Sequence, residues 1–195
     1  MFQNFVMSNN PDVIILDRDG VINEDSDDFI KSPEEFIPIK GSLSAIARLK
    51  QANYSVVIAT NQSGVGRGLF DIDMLNRIHG KLHKELANLG VAIDGIFFCP
   101  HSPEDECDCR KPKPGLFYDI SQRLPVELNS VIAVGDSLRD IQAAKIAGAF
   151  PVLVKTGKGK KTFQKNVGLE NVPVYKDLSA VVDEMLSGKL TNTTK

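Results

Sequence analysis

The feature that most constrains this chain is a recurring short run of apolar, largely β-branched residues, each closed by charge, glycine or proline. Val13-Ile14-Ile15-Leu16 comes first, Ser55-Val56-Val57-Ile58-Ala59 follows, and residues 93–98, 130–134, 151–154 and 172–175 repeat the pattern. Apolar runs of this length without polar alternation fit strands buried on both faces, as in a parallel sheet. Between them lie segments of helical spacing. Leu43, Ile46, Ala47 and Leu49 mark one; Met74, Leu75, Ile78, Leu82 and Leu86 mark a second over 73–89, closed by Gly90. Residues 116–124, 138–147 and 178–186 complete the set. Strands alternating with helices predict an α/β fold, a doubly wound, mostly parallel sheet with right-handed crossovers and helices on both faces. The connections are too short for a large inserted cap. We therefore expect one domain over 1–195, with an irregular loop at 99–114 and a frayed polar tail at 188–195.

Composition sets the class. A chain of 195 residues, 42% hydrophobic and 25% charged, has the make-up of a soluble globular domain. A formal net charge of −2 offers no general attraction to nucleic acid or anionic membranes. No apolar run approaches the roughly 20 residues of a membrane span. Residues 1–10 lack a basic stretch followed by an apolar one, so no secretory signal is expected and a cytoplasmic monomer is. Three cysteines cannot all pair within the chain, against a disulfide framework.

Polar residues gather at the strand ends, where open α/β sheets bind ligands. The first run delivers Asp17-Arg18-Asp19-Gly20-Val21-Ile22-Asn23, the second Thr60-Asn61-Gln62-Ser63-Gly64, and the fourth Gly135-Asp136; Arg110-Lys111 follow the third run and its loop. Strand alternation puts Asp17 and Asp19 on one side with Arg18 pointing away. On these residues alone, a solvated acidic turn is the alternative. Asp17 and Asp136 together would be hard oxygen ligands suited to Mg²⁺ held with waters and a phosphate oxygen. Thr60 and Lys111 would hold phosphoryl oxygens, since phosphoryl transfer needs mainly positioning and charge neutralisation. One aspartate would then act as nucleophile and the other as acid–base.

The three cysteines and a histidine fall close together as Cys99, His101, Cys107 and Cys109. Three thiolates and an imidazole make a closed tetrahedral Zn²⁺ set, a structural staple for a loop with little core of its own. Incidental cysteines in a loop are the alternative. His79 and His83, four apart on the second helix, lack a third ligand and read as an ordinary, partly exposed helix face.

With those residues in view, Asp17-Arg18-Asp19-Gly20, Thr60-Asn61-Gln62-Ser63-Gly64, Arg110-Lys111-Pro112 and Gly135-Asp136 resemble the four ordered motifs of the haloacid dehalogenase (HAD) phosphohydrolases. More narrowly, the stretches at 17–23, 60–68, 99–115 and 135–144 are similar to the D-glycero-D-manno-heptose 1,7-bisphosphate phosphatases, a group shared with bacterial histidinol phosphatases. The resemblance covers about 13–160 and implies a HAD-like fold. It implies that Asp17 attacks phosphorus, that Asp19 protonates the leaving oxygen and then activates water, and that Thr60 and Lys111 stabilise the phosphoryl group. It further implies Mg²⁺ on Asp17, Asp136 and the Asp19 backbone carbonyl, the same zinc loop, and Arg110 reading the rest of a small sugar phosphate. Asn61, Gln62 and Ser63 would contact substrate or merely close the turn. Asp140 would support Lys111 or the metal, or be an exposed helix acid. The implied reaction removes the C7 phosphate of heptose bisphosphate on the way to nucleotide-activated heptose and lipopolysaccharide; histidinol phosphate is the alternative substrate.

The chain departs from several relatives at Asp25-Ser26-Asp27-Asp28, where they carry His-Gly-Tyr, and at Ser137, where they carry Lys. Asp25 and Asp28 are expected to help select the substrate. Gly64, Gly66 and Gly68 do not match a dinucleotide fingerprint and read as a mobile loop, and 158–162 reads as a solvated basic turn. A phospho-acceptor signalling domain would lack the second acid two residues past the first, and a non-catalytic zinc protein would need no aligned strand ends.

Overall fold

The computed structural model describes residues 12–190. Residues 1–10, read above for a secretory signal, and 191–195 of the expected tail lie outside the described residues.

Six strands form one parallel sheet: β1 (Val13–Leu16), β2 (Ser55–Asn61), β3 (Gly95–Cys99), β4 (Ile132–Gly135), β5 (Phe150–Val154) and β6 (Val174–Tyr175). Their spatial order is β3-β2-β1-β4-β5-β6, every pair parallel. Consecutive side chains leave a strand on opposite faces, and both faces are covered, which is why the runs carry no polar alternation. Ile14, Leu16, Val56 and Ile58 pack on one face under α1 (Ser42–Gln51) and α7 (Leu178–Leu186). Val13, Ile15, Val57 and Ala59 pack on the other under α4 (Gly115–Arg123) and α5 (Leu138–Ala147).

This order places the site. From β1 the chain builds outward through β2 and β3, then returns to lay β4 on the opposite side of β1. The crossovers diverge there, so the carboxyl ends of β1 and β4 border an open crevice. The Asp17 N–H donates to the Val134 carbonyl at 2.9 Å and carries the ladder one residue past β1.

The expected elements are present; β4 runs 132–135 rather than 130–134 and β6 begins at Val174 rather than 172, and four further differences have a visible cause. β3 starts at Gly95 rather than 93, because Asp94 caps the sheet's edge by accepting from the Val56 N–H at 2.7 Å and from Lys50 at 2.6 Å. The glycine-rich segment is not an open loop but a short helix, α2 (Ser63–Gly66), tied to the cysteine loop by the Gly66 N–H on the Pro100 carbonyl, ahead of α3 (Ile72–Ala87). The basic stretch expected as a turn opens α6 (Gly159–Lys165), held because the Lys158 N–H donates to Asp136. The tail is not frayed from 188: Lys189 and Leu190 donate to the Glu184 carbonyl, and Leu190 is buried against the core. No helix of the described residues is long and apolar enough to cross a membrane.

Candidate active site

A cleft of about 220 Å³ opens at the β1/β4 crevice. Asp17, Asp19, Thr60, Asn61 and Arg110 all line it, whereas Lys111 and Asp136, expected at the same edge, are buried and do not line it. Gly20 makes the turn possible. It sits at φ 84°, and a Cβ there would fall 2.1 Å from an Asp136 carboxylate oxygen, so only glycine lets β1's end approach β4's.

Beneath the cleft, Lys111 is fully buried. Its ammonium lies 3.0 Å from Asp17 Oδ1 and 2.6 Å from Asp140 Oδ1, and donates to the Ala59 carbonyl at 2.7 Å. The ammonium is thus shared between two buried carboxylates and tied to the backbone of β2. Burial opposes its charge, but Asp140 and Asp17 outweigh that and hold its proton affinity above the usual lysine range. Asp140 is thus no exposed helix acid. Its carboxylate caps α5 by accepting from the Ser137 N–H at 3.0 Å and from the Ser137 hydroxyl, and pairs with Lys111. Lys111 is placed in turn by Asn61, whose amide donates to the Lys111 carbonyl at 3.0 Å and accepts its N–H at 3.1 Å. Asn61 therefore spends its side chain on the scaffold.

Asp19 has different company. Arg18 does not point away as strand alternation suggests; the chain leaves the strand at Asp17, and the guanidinium folds back, fully buried, to reach both Asp19 oxygens at 2.9 and 3.0 Å. Asn23 donates to Asp19 at 2.9 Å and Gln62 at 2.8 Å. Burial raises the Asp19 proton affinity, but Arg18 and these donors prevail and bring it below the usual carboxylate range. Gln62 also donates to Thr60 Oγ1 at 2.9 Å, which leaves the Thr60 hydroxyl proton free for the cleft. His79 is not on an exposed face. It is buried, accepts from Arg18 at 3.2 Å, and burial followed by the Arg18 charge pushes it down to about 3, so it stays neutral. His83 is exposed and takes no part.

The metal reading survives a geometric test. Carboxylate oxygens of Asp17, Asp136 and Asp140 lie within 4.8 Å of one another. One oxygen each of Asp17 and Asp136 is committed, to the Arg18 N–H at 2.8 Å and the Lys158 N–H at 2.7 Å respectively. Asp17 Oδ2 and Asp136 Oδ1 have no donor among the described residues. Burial, with repulsion from Asp140, pushes Asp17 up to about 6 despite Lys111, and burial with repulsion from Asp140 and Asp17 pushes Asp136 up to about 8. Acids this reluctant to ionise are short of positive charge, which a divalent cation on hard oxygen ligands supplies. The Asp19 carboxylate is occupied elsewhere, so only its backbone carbonyl is available to such an ion.

Of the loop after β1, Asp25, Ser26 and Asp27 face the cleft, and Asp25 pairs with Lys158 at 2.9 Å. Asp28 does not reach the cleft; it is exposed, and its carbonyl accepts from Lys31. Ser63 lines the cleft.

Behind Arg110, the Cys99, His101, Cys107 and Cys109 donors all lie within 4.8 Å of one another. Neighbouring sulfurs are 3.4 and 3.5 Å apart, and His101 Nδ1 is 3.3 Å from the Cys109 sulfur. A tetrahedral zinc with bonds of about 2.3 Å to sulfur has sulfur–sulfur edges of about 3.8 Å, close to this spacing. Burial and the adjacent sulfurs push Cys109 well up, and burial raises Cys99, while hydrogen bonds from its neighbours bring Cys107 down against its own burial. Arg110 NH1 donates to the His101 carbonyl at 3.2 Å, which couples the cluster to the cleft.

Comparison with known proteins agrees with this geometry. The chain is 57% identical over 174 residues to the D-glycero-beta-D-manno-heptose-1,7-bisphosphate 7-phosphatase of Bordetella bronchiseptica, covering 89% of this chain and 97% of that protein. The chain belongs to this phosphatase family. The heptose bisphosphate phosphatase of Pseudomonas aeruginosa is 48% identical over 174 residues, 89% of this chain and 97% of that one. A crystal structure of the D,D-heptose 1,7-bisphosphate phosphatase from B. bronchiseptica, complexed with magnesium and phosphate, superposes with a TM-score of 0.89 at 56% identity, covering 90% of this chain and 98% of that one. The HAD-hydrolase-like family model matches residues 108–181.

Three features of the site escaped the sequence reading. Arg18 and His79 were too far apart in sequence, and too differently typed, to signal a buried pair holding Asp19. Lys158 was visible as part of a basic run, but its contacts with Asp25 and Asp136 depend on where α6 packs. Arg139 lines the cleft from the first turn of α5 and carried no motif of its own.

Proposed function

We propose that the chain hydrolyses the C7 phosphate ester of D-glycero-β-D-manno-heptose 1,7-bisphosphate through a phospho-Asp17 intermediate. The β anomer follows the names of the relatives. The reading is carried by one observation: Asp17 and Asp19 face the same cleft, yet separate cations hold them, Lys111 and Arg18, and their proton affinities are displaced in opposite directions. Such divergence marks two carboxylates with distinct roles.

In the first step an Asp17 oxygen bonds to phosphorus and the bond from phosphorus to the C7 oxygen breaks. Asp19 gives its proton to that oxygen. A dianionic phosphate beside Asp19 raises its proton affinity, which Arg18 otherwise depresses, and so equips it as the acid. In the second step Asp19, again a carboxylate, takes a proton from water. The water oxygen attacks phosphorus, and the bond to Asp17 breaks, releasing phosphate. Thr60 donates its free hydroxyl proton to a phosphoryl oxygen. Mg²⁺, when held by Asp17, Asp136 and the Asp19 carbonyl, supplies the positive charge that these acids and the phosphate require. Arg110 faces the sugar's far end and contacts the C1 phosphate, while Asp25 and Ser63 border the sugar.

The decisive measurement is inorganic phosphate release from heptose 1,7-bisphosphate, fructose 1,6-bisphosphate and histidinol phosphate. The expected kcat/KM favours the heptose ester by about 100-fold or more, the scale set by losing matched polar contacts. Preference for histidinol phosphate would overturn the assignment.

The cysteine cluster holds a structural Zn²⁺ in this reading, which suits a reducing cytoplasm, and the chain acts as a monomer on a small sugar phosphate without nucleic acid. About one tightly bound zinc per chain is expected in the purified protein. Its removal by a chelator, or Cys107→Ser, should raise KM by about tenfold through Arg110 while kcat changes far less. Protein that carries no zinc, or a chelated enzyme with unchanged KM, would leave the cluster without this role.

A further inference from the structure

Lys111 lies next to Asp17, but it is buried beneath the cleft rather than lining it, paired with Asp17 and Asp140 and donating to the Ala59 carbonyl. Its charge is divided between the nucleophile and Asp140. The cleft needs another cation for the phosphoryl oxygens. Arg110 comes from the cysteine loop and is tethered to His101. Lys158 is occupied by Asp25 and Asp27, at 2.9 and 3.4 Å. Arg139 is different. It lines the cleft with Asp17, Asp19 and Thr60, and no ion pair within 4.0 Å engages it among the described residues. Its Nε is buried and has no hydrogen-bond partner. A buried, unpaired guanidinium donor is costly unless a ligand completes it. Asp140, Asp17, Asp136 and Asp25 surround it closely enough to stabilise its charge, although burial opposes it.

We propose that Arg139 grips the non-bridging oxygens of the phosphate attacked by Asp17, while Lys111 serves Asp17 itself. A guanidinium fork suits this task, because it offers two parallel donors to a tetrahedral oxyanion and cannot surrender its proton. Its backbone is fixed by the Ser137–Asp140 cap, so the first turn of α5 presents Asp140 to Lys111 and Arg139 to the substrate, directly after Asp136 at the end of β4. The inference rests on the phosphatase reading, but not on which sugar carries the phosphate.

The test uses the Mg²⁺-loaded full chain, with Arg139→Gln, Arg139→Lys and, as a control for overall charge, Lys165→Gln on exposed α6. Three quantities are measured: the inhibition constant of inorganic phosphate, and turnover of heptose bisphosphate and of p-nitrophenyl phosphate. Arg139→Gln should raise the phosphate inhibition constant by about tenfold or more and lower kcat for both esters by roughly 100-fold, the scale of losing one donor aimed at transition-state charge. Arg139→Lys should fall between it and the parent, since the charge stays and the fork is lost, and it carries the test if the glutamine variant does not fold. An unchanged phosphate inhibition constant, with loss confined to the bisphosphate, would overturn the proposal in favour of a contact to the second phosphate. Equal losses from Lys165→Gln would also overturn it, because a general field would then explain the effect. A parent enzyme that hydrolyses p-nitrophenyl phosphate but not the heptose ester would sink the substrate assignment and leave the Arg139 measurements valid.

Discussion

Asp17→Asn is expected to reduce turnover by about 10⁵-fold or more, the scale seen when a nucleophile is lost from a covalent mechanism. An amide oxygen is a poor nucleophile towards phosphorus and a weaker ligand for a divalent cation. The folded state should survive. Asp17 is a buried acid whose charge is opposed first by burial and then by Asp140, so neutralising it removes repulsion as well as one partner of Lys111. A melting temperature near that of the parent, with zinc retained, would separate lost chemistry from lost structure. Trapping, by acid quench, of hydroxylamine-sensitive phosphate on the parent chain, absent from the variant, would identify the bond. Residual activity above about 1% of the parent would remove Asp17 as the nucleophile, given the magnitude expected.

Lys111→Met should be the most destabilising single change at the site. Methionine matches the stem but leaves Asp17 and Asp140 buried without their shared cation, which typically costs about 3–5 kcal/mol. In a chain of this length that corresponds to a fall of roughly 6–20 °C in melting temperature. Lys111 lies 3.0 and 2.6 Å from the two carboxylates, so the loss falls on both. Adding Asp140→Asn to Lys111→Met should recover part of it, because the penalty belongs to the uncompensated acids rather than to lost packing. Mg²⁺ should protect the variant more than the parent for the same reason. A melting temperature within about 2 °C of the parent would mean that Lys111 is not the counter-charge described, since even 1 kcal/mol moves a chain of this size by about that much.

Much of the fold was readable from one dimension. The runs at Val13–Leu16 and Ile132–Gly135 are apolar on both faces, so a covered parallel sheet was the only economical home for them. α5 was bounded correctly because Ser137 and Asp140 form a local cap whose partners are three residues apart. Elements whose form depends on distant partners were misread. α2 is closed by the Pro100 carbonyl and α6 is anchored through Asp136, and neither contact is visible in their own residues. The same holds for the Leu190 end, which is ordered by Glu184 and the core.

The site divides along the same line. Sequence alone determined which chemical groups were present at the strand ends: two acids one residue apart, a threonine, a lysine, a third acid and a compact Cys/His set. Those assignments follow from residue type and spacing, which folding does not alter. Tertiary structure alone decided who neutralises whom. Lys111 is spent on Asp17 and Asp140, Asn61 and Gln62 serve the scaffold, Arg18 and His79 hold Asp19 from below, and Arg139 is left facing the cleft. Electrostatic energy depends on distance and on exclusion of water, and both arise only when segments as remote as 18, 79 and 139 are packed around one crevice.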